Sequence, residues 1–198
     1  PEAKRVLLMP GSRKQEVLSL LDVMLESGER LLQSHEDVQF FLPRAHTIER
    51  SELEAFISER NVPVTITEDH TYDLMQICDV CLAASGTATL ETAMMELPTV
   101  LLYKVSPITY GIGKMVVNLT HVGLPNIVAG KEVIPELLQD DVSADAIVNT
   151  VLPLLDDLQV NQHMRSELRS VKEKLGESGA VNRVAQLIYD LGKEKTNE

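Results

Sequence analysis

Residues 5–14 read RVLLMPGSRK, an apolar run that stops at a proline and a glycine and leads into two basic residues. We predict a buried β-strand over Arg5–Met9, because strands covered on both faces are continuous apolar runs. Residues 16–34 repeat apolar side chains at helical spacing and predict a helix soon after the turn. A strand that turns through glycine into a helix is typical of the start of a βαβ unit. This segment therefore predicts an α/β fold built on a parallel sheet.

The same alternation of strand and helix continues along the chain. Further strands are predicted at residues 38–42, 64–66, 80–83 and 99–103, with helices at residues 48–60, 72–77 and 87–96. After Lys104 the alternation is less regular, with a predicted helix at 108–117, a short strand at Ile127–Ala129 and only helices from about residue 143 onward. We expect a Rossmann-like, doubly wound parallel sheet of roughly five or six strands with extra C-terminal helices, which binds ligands at the carboxyl ends of its strands.

Composition limits the classes of function. The chain has 198 residues, of which 44% are hydrophobic, so it can bury a core of its own. The formal net charge of −12 argues against a general nucleic-acid-binding protein, because neutralising phosphates requires clustered lysines and arginines. No acidic residue occurs from Leu97 through Lys131. This stretch is either a surface that an anionic partner can approach or a partly buried segment that avoids carboxylates.

Cysteines and apolar runs indicate the cellular setting. The two cysteines, Cys78 and Cys81, provide no disulfide framework, so a reducing cytoplasmic setting is expected. Their spacing is a weak redox or metal signal, but they enter a predicted strand and are better interpreted as small buried apolar side chains. No apolar run reaches the roughly 18 residues of a membrane span, so we expect a soluble or peripheral protein. The first residue, Pro1, suggests a chain cut from a longer one.

The loop after the first strand is a candidate phosphate-binding turn. Gly11 permits a tight turn and close approach of the backbone, and Ser12 is expected to cap the helix, with Gln15 completing a capping box. The leading amide groups would then face a ligand, and Arg13 and Lys14 would add positive charge for a diphosphate. The alternative is an ordinary strand-to-helix turn whose basic residues are solvated.

A second turn of this kind follows the strand at residues 80–83. Gly86 again lets amides face a ligand, and the hydroxyls of Ser85 and Thr87 can donate to phosphate oxygens. Glu91 lies one helical turn beyond Thr87, where its carboxylate could accept hydrogen bonds from two ribose hydroxyls. The alternative for Glu91 is a surface ion pair with a lysine or arginine.

Several common cofactor motifs are missing. The chain has neither the glycine pattern of NAD-binding sites nor that of ATP-binding P-loops, and no Asp or Glu cluster near these turns suits Mg²⁺. No Ser-His-Asp arrangement or zinc motif can be placed either. Two amide-rich helix starts suit a nucleotide diphosphate, so we expect neither a metal nor a cofactor.

Four motifs together resemble the lipid-A-disaccharide synthase family. They are PGSR at residues 10–13, ASGTATLE at 84–91, GLPNIVAG at 123–130 and PELLQ at 135–139. The resemblance covers residues 1–198 as the C-terminal, UDP-sugar-binding domain of a GT-B glycosyltransferase. It implies that the N-terminal acceptor domain, with its general base, is absent from this chain, which alone would be inactive.

The resemblance also implies a reaction. The family transfers 2,3-diacylglucosamine from UDP to 2,3-diacylglucosamine 1-phosphate with inversion, which forms the β-1,6 lipid A disaccharide and releases UDP. It further implies a cytoplasmic protein peripheral to the inner membrane of a Gram-negative-type cell, in contact with its own N-terminal domain and capable of homo-oligomerising. The UDP-binding residues would be Gly11, Ser12, Arg13, Ser85, Gly86, Thr87 and Glu91, and the donor pocket would be shaped by Asn126, Glu136 and Gln139.

Two other functions remain open at this point. A UDP-N-acetylglucosamine 2-epimerase would bind the same nucleotide through a similar serine-glycine-threonine loop, but it has no use for acyl chains. A non-catalytic α/β module would bind a nucleotide or a small ligand within this domain alone.

Overall fold

A computed structural model describes residues 3–105, 120–176 and 179–196. Its strands are β1 (Arg5–Met9), β2 (Gln39–Pro43), β3 (Val64–Thr67), β4 (Val80–Ala84), β5 (Thr99–Tyr103) and β6 (Glu136–Leu138). They form one sheet in the order β3-β2-β1-β4-β5-β6, and every pairing is parallel. The chain leaves β1 toward β2 and leaves β4 toward β5, so the topological switch point lies between β1 and β4. The predicted doubly wound parallel sheet is confirmed.

Helices cover both faces of this sheet. They are α1 (Lys14–Ser34), α2 (Arg50–Ser58), α3 (Thr71–Ile77), α4 (Thr87–Met94), α5 (Leu124–Ala129), α6 (Ala144–Asp156), α7 (Leu158–Leu175) and α8 (Ala180–Thr196), with a 3₁₀ turn at Gln139–Asp141. On β1, Val6 and Leu8 belong to the apolar cluster that contains α1, α2 and α6. Leu7 belongs to a separate cluster with α3. Burial on both faces explains why the strands are continuous apolar runs.

Most predicted element boundaries agree with the structure to within two residues, and β5 agrees at both ends. The strand predicted at Ile127–Ala129 is wrong, because these residues end helix α5. Pro125 lies in the first turn of α5, and Gly130 ends the helix at φ 75°, in the left-handed region. The sixth strand is Glu136–Leu138 instead. The helix predicted at 108–117 lies outside the described residues.

Helix α7 is fastened to the amino ends of β4 and β5. Arg165 donates to the carbonyl oxygens of Glu96 and Cys78, at 3.0 and 3.3 Å, and to Asn161 Oδ1 at 2.8 Å. Asn161 in turn donates to the carbonyl oxygens of Asp79 and Leu154. Burial lowers the pKa of the Arg165 guanidinium. We call Asn161, Arg165 and their acceptors the α7 clasp.

The two cysteines are buried and free, as the sequence predicts. Burial raises the pKa of Cys78 to about 12 and that of Cys81 well above its ordinary value. Neither thiol is therefore prepared to act as a thiolate nucleophile or metal ligand. Among the described residues, no helix is both long enough and apolar enough to cross a membrane.

Helix α8 presents apolar side chains to solvent. Val181, Leu187 and Ile188 are all more than half exposed. The capacity to homo-oligomerise that the family resemblance implies stays a prediction.

Candidate functional site

A cavity of about 710 Å³ opens at the carboxyl edge of the sheet, at the switch point between β1 and β4. Four segments line it, at residues 9–12, 43–47, 84–88 and, between β3 and α3, Asp69, Thr71 and Tyr72; Glu16 and Glu91 also line it. This volume lies in the range of small-molecule sites, and the position is where open α/β sheets bind ligands. Both turns predicted from the sequence therefore belong to one cavity.

The first turn depends on Gly11. Its φ of 108° lies in the left-handed region, and a Cβ there would lie 2.2 Å from Glu16 Oε2. The predicted capping role of Ser12 is wrong, because the N-cap is Arg13, which has an extended backbone and makes no side-chain capping bond. The Ser12 carbonyl accepts a hydrogen bond from Thr47 Oγ1 at 2.5 Å. The side chain of Gln15, the other member of the predicted capping box, is not among those described.

The two basic residues of this turn differ in whether they form an ion pair. Lys14 Nζ forms an ion pair with Glu52 Oε1 at 2.5 Å, which ties α1 to α2. Arg13 is exposed and forms no ion pair with any described carboxylate. Arg13 does not itself line the cavity, but it adjoins Ser12, which does. Arg13 is therefore the better candidate for an incoming anion.

The second turn also leads into a helix that no side chain caps. Gly86 is the N-cap of α4, with φ 159° and ψ −164°, and nothing lies within 4 Å of where its Cβ would be. The Ser85 amide donates to the Leu102 carbonyl at 3.1 Å, which holds the turn against β5. No side chain caps α4, so the Thr87 and Ala88 amides and the exposed Thr87 side chain remain available at the cavity wall. This is the positive end of a helix dipole, which favours an anion.

Glu91 lies on the next turn of α4 and lines the same cavity. No lysine or arginine of the described ranges forms an ion pair with it, so the predicted alternative of a surface salt bridge is not seen there. The Tyr72 side chain lines the same cavity. The negative charge of Glu91, together with burial, raises the pKa of Tyr72.

Sequence reasoning missed the part of the cavity that follows β2 and β3. Arg44, His46, Asp69 and Tyr72 all line it. Arg44 is engaged, because its Nε lies 2.8 and 2.9 Å from the two carboxylate oxygens of Glu68. The signal was present in the sequence, because all parallel strands end at one edge and each loop that follows a strand is a candidate.

Asn126 serves the fold. Its side chain is fully buried, and its Oδ1 accepts from the Val133 and Ile134 amides at 2.7 and 2.9 Å. Its Nδ2 donates to the Ile134 carbonyl at 2.8 Å and to Glu136 Oε1 at 2.7 Å. All four hydrogen bonds of the amide are made within the protein.

Glu136 and Gln139 complete this part of the chain. The Glu136 carboxylate accepts from the Val122 and Gly123 amides, both at 2.9 Å. Gln139 Oε1 accepts from the Val105 amide at 3.3 Å, while its Nε2 is buried without a partner among the described residues. Asn126, Glu136 and Gln139 do not line the cavity. That they shape the donor pocket stays a prediction. Any effect of Asn126 or Glu136 on that pocket is indirect, because their side chains bind the neighbouring backbone and do not line the cavity.

Within the ranges that the structure describes, no three His, Cys, Asp or Glu side chains are grouped to hold a metal ion. The expectation that the site works without a metal stays a prediction.

Comparison with known proteins identifies relatives. The chain matches the family model described as lipid-A-disaccharide synthetase over residues 1–188. The lipid-A-disaccharide synthase of Geobacter sulfurreducens is 44% identical over 195 residues, which are 98% of this chain and 51% of that protein. The chain therefore spans about half the length of the curated relatives that it matches.

Solved structures agree on the fold. The spinosyn rhamnosyltransferase SpnG matches 96% of this chain and 45% of its own, with a TM-score of 0.64 and 11% identity. A putative UDP-N-acetylglucosamine 2-epimerase from Listeria monocytogenes matches 97% of this chain and 46% of its own, with a TM-score of 0.61 and 15% identity. Likeness at this identity shows the fold alone, which is the α/β fold of GT-B glycosyltransferases.

Proposed function

Because this chain belongs to the lipid-A-disaccharide synthetase family, we propose that it is the UDP-sugar-binding part of a glycosyltransferase of lipid A biosynthesis. The proposed donor is UDP-2,3-diacylglucosamine, and the proposed acceptor is 2,3-diacylglucosamine 1-phosphate. One observation carries the proposal most directly: in a member of this family, two glycine turns with uncapped helix starts meet at the switch point of the sheet.

The diphosphate is assigned to these two turns. The leading amides of α1 and α4, the Ser85 and Thr87 hydroxyls and the Arg13 guanidinium supply hydrogen-bond donors and positive charge. When the bond between the anomeric carbon and the β-phosphate oxygen breaks, negative charge develops on that oxygen. Donors that are already in place stabilise this charge without reorganising, so the turns lower the barrier as well as bind the nucleotide.

The carboxylates of the cavity are assigned to hydroxyl groups. Glu91, Glu16 and Asp69 repel a diphosphate in direct contact, but an ionised carboxylate is a strong acceptor for a sugar or ribose hydroxyl. In this proposal Glu91 accepts from the ribose. The acceptor hydroxyl attacks the anomeric carbon from the face opposite UDP and gives its proton to a base, for which no residue of this chain is assigned.

The epimerase alternative has weaker support. A solved epimerase shares the fold, but the family match and the identity to curated synthases favour the lipid substrate. Because both proposed substrates carry acyl chains, we infer that the protein works at the inner-membrane surface, together with an acceptor-binding domain of the kind implied for the family. Binding that depends on acyl chains separates the two functions.

Binding of UDP to the 198-residue chain tests the site. We expect amide NMR shifts at residues 11–13 and 85–91 on titration with UDP, and no comparable shifts with NAD or ATP. Shifts confined to other residues contradict the placement, and the absence of any UDP binding contradicts the proposed function.

A turnover assay tests whether the reaction requires the N-terminal domain. The 198-residue chain incubated with UDP-diacylglucosamine and the acceptor should yield no disaccharide, because the base and the acceptor site are expected on the N-terminal domain. Disaccharide formed by this chain alone would show that the base lies within it.

A further inference from the structure

We propose that Thr47 is a positioning residue for the nucleotide, which holds the turn at residues 11–13 in the conformation that receives the diphosphate. The inference rests on the proposed function, in which this turn and the start of α1 bind the diphosphate of the donor. It adds the loop between β2 and α2 to the nucleotide site, whereas the motifs that indicate the site lie at the starts of α1 and α4.

One hydrogen bond connects this loop to the turn. Thr47 Oγ1 donates to the Ser12 carbonyl oxygen at 2.5 Å, and both residues line the cavity. The two residues meet because β1 and β2 are parallel neighbours, so the loops that follow them lie at the same edge of the sheet. No side chain caps α1. Among the described side chains, Thr47 is therefore the one that fixes the backbone of this turn.

The loop that carries Thr47 is itself held in place. Arg44 Nη1 donates to the Ile48 carbonyl oxygen at 2.7 Å, and Arg44 Nε donates to both carboxylate oxygens of Glu68, directly after β3. The Ile48 amide donates to the Ala45 carbonyl oxygen at 2.9 Å, and the Ile48 side chain is buried in the core. Thr47 thus reaches Ser12 from a braced loop, so its hydrogen bond can restrict the turn.

This hydrogen bond has two consequences for a bound anion. The Ser12 carbonyl and the Arg13 amide belong to one peptide group, which is planar, so fixing the carbonyl also fixes the direction of the amide. Arg13 is the N-cap of α1, and its amide is one of those that have no acceptor within the helix. The bond also engages a carbonyl oxygen whose partial negative charge would otherwise repel a phosphate. Part of the ordering cost is then met before the nucleotide arrives.

A binding experiment on the 198-residue chain isolates this effect. Amide NMR titrations measure the affinities of the wild-type chain, Thr47→Val and Thr47→Ser for UDP and for uridine, which lacks the diphosphate. We expect Thr47→Val to weaken UDP about 3- to 10-fold, the effect of one hydrogen bond. Its effect on uridine should be less than about 2-fold, and Thr47→Ser, which keeps the hydroxyl, should bind UDP within about 2-fold of wild type. The urea midpoint of Thr47→Val should change little, because Thr47 is exposed.

The control is Thr150→Val. Thr150 Oγ1 also donates to a backbone carbonyl, that of Ala146 at 2.7 Å, but Thr150 does not line the cavity, so UDP affinity should be unchanged.

Three results would contradict the positioning role in a chain that binds UDP: equal UDP affinity of wild type and Thr47→Val, an equal loss for uridine and UDP, or an equal loss in Thr47→Ser and Thr47→Val. If uridine binds too weakly to be measured, the comparison of the serine and valine variants decides by itself. If the wild-type chain does not bind UDP, the proposed function fails, and the inference fails with it.

Discussion

Arg13 and Arg165 illustrate two different uses of a cation in this molecule. Arg165 is half-buried in the α7 clasp and donates to three acceptors of the protein, whereas Arg13 is exposed beside the cavity and pairs with no described carboxylate. Asn126 resembles Arg165 in this respect, since every polar atom of its side chain is engaged. By contrast, the side chains of Thr87, Glu16 and Glu91 line the cavity and, like Arg13, are not engaged by protein partners among the described residues.

The difference separates residues that build the fold from residues that are available to a ligand. A buried polar group that is fully hydrogen-bonded has no capacity left for a substrate, and its loss is a loss of stability. A polar group on a cavity wall that lacks protein partners contributes little to stability and can contribute to affinity. Substitutions in the two classes should therefore change different measured quantities.

The largest expected effect is at Asn126. Asn126→Ala leaves the Val133 and Ile134 amides buried without acceptors, so we expect the free energy of unfolding to fall by about 3–5 kcal/mol. Urea denaturation followed by circular dichroism measures it. Asn149→Ala, on the exposed side of α6, is the matched control and should cost less than about 0.5 kcal/mol. Equal stability of wild type and Asn126→Ala would refute the structural role.

Arg165→Met tests the α7 clasp. The substitution keeps an apolar stem but leaves three acceptors without their donor, and we expect a loss of about 2–3 kcal/mol in the free energy of unfolding. UDP affinity should be unchanged, because the clasp lies at the amino ends of β4 and β5. Arg169→Met, in a more exposed ion pair with Glu96, is the control and should cost less than about 1 kcal/mol. A change in UDP affinity with unchanged stability would contradict the view that the amino edge of the sheet serves stability and the carboxyl edge serves binding.

Arg13→Ala should produce the reverse result. We expect UDP affinity to fall about 10- to 100-fold, as for a charge-assisted hydrogen bond worth about 1.5–3 kcal/mol, with no change in the free energy of unfolding. Calorimetric titration of UDP and urea denaturation measure the two quantities. Lys14→Ala is the control from the same turn, and its effect should be a few-fold at most, since Lys14 is exposed and paired with Glu52. Equal affinities for wild type and Arg13→Ala would make Arg13 a surface residue of the turn.

The smallest expected effect is at Glu96 and depends on pH. The hydrogen bond from Arg169, helped by Lys172, lowers the pKa of Glu96 in the folded state below its ordinary value of 4.5. The ionised form therefore stabilises the fold at neutral pH, and this contribution is lost as the pH falls below 4.5 through the folded-state pKa. We expect Glu96→Gln to cost about 0.5–1 kcal/mol at pH 7 and progressively less in acid. Urea denaturation at several pH values measures this, and a difference that grows toward low pH would have the wrong sign.

The features predicted correctly from the sequence are those that depend on residues close together in the chain. The strand at Arg5–Met9 and the turns at Gly11 and Gly86 were predictable, because apolar runs and glycines specify them locally. Residues Ile127–Ala129 were not, because a three-residue apolar run suits a strand or a short helix equally. Contacts of α5 with α7 and the hydrogen bonds of Asn126 decide for the helix.

The sequence by itself determined the α/β class, the two turns and the family resemblance, because each depends on residues that are neighbours in the chain. Only the tertiary structure decided which polar residues are free. Lys14 is engaged through Glu52 and Asn126 through residues 133–136, and each partner lies on a different element. Local spacing carries no information about such partners, because packing of helices against the sheet sets which side chains meet.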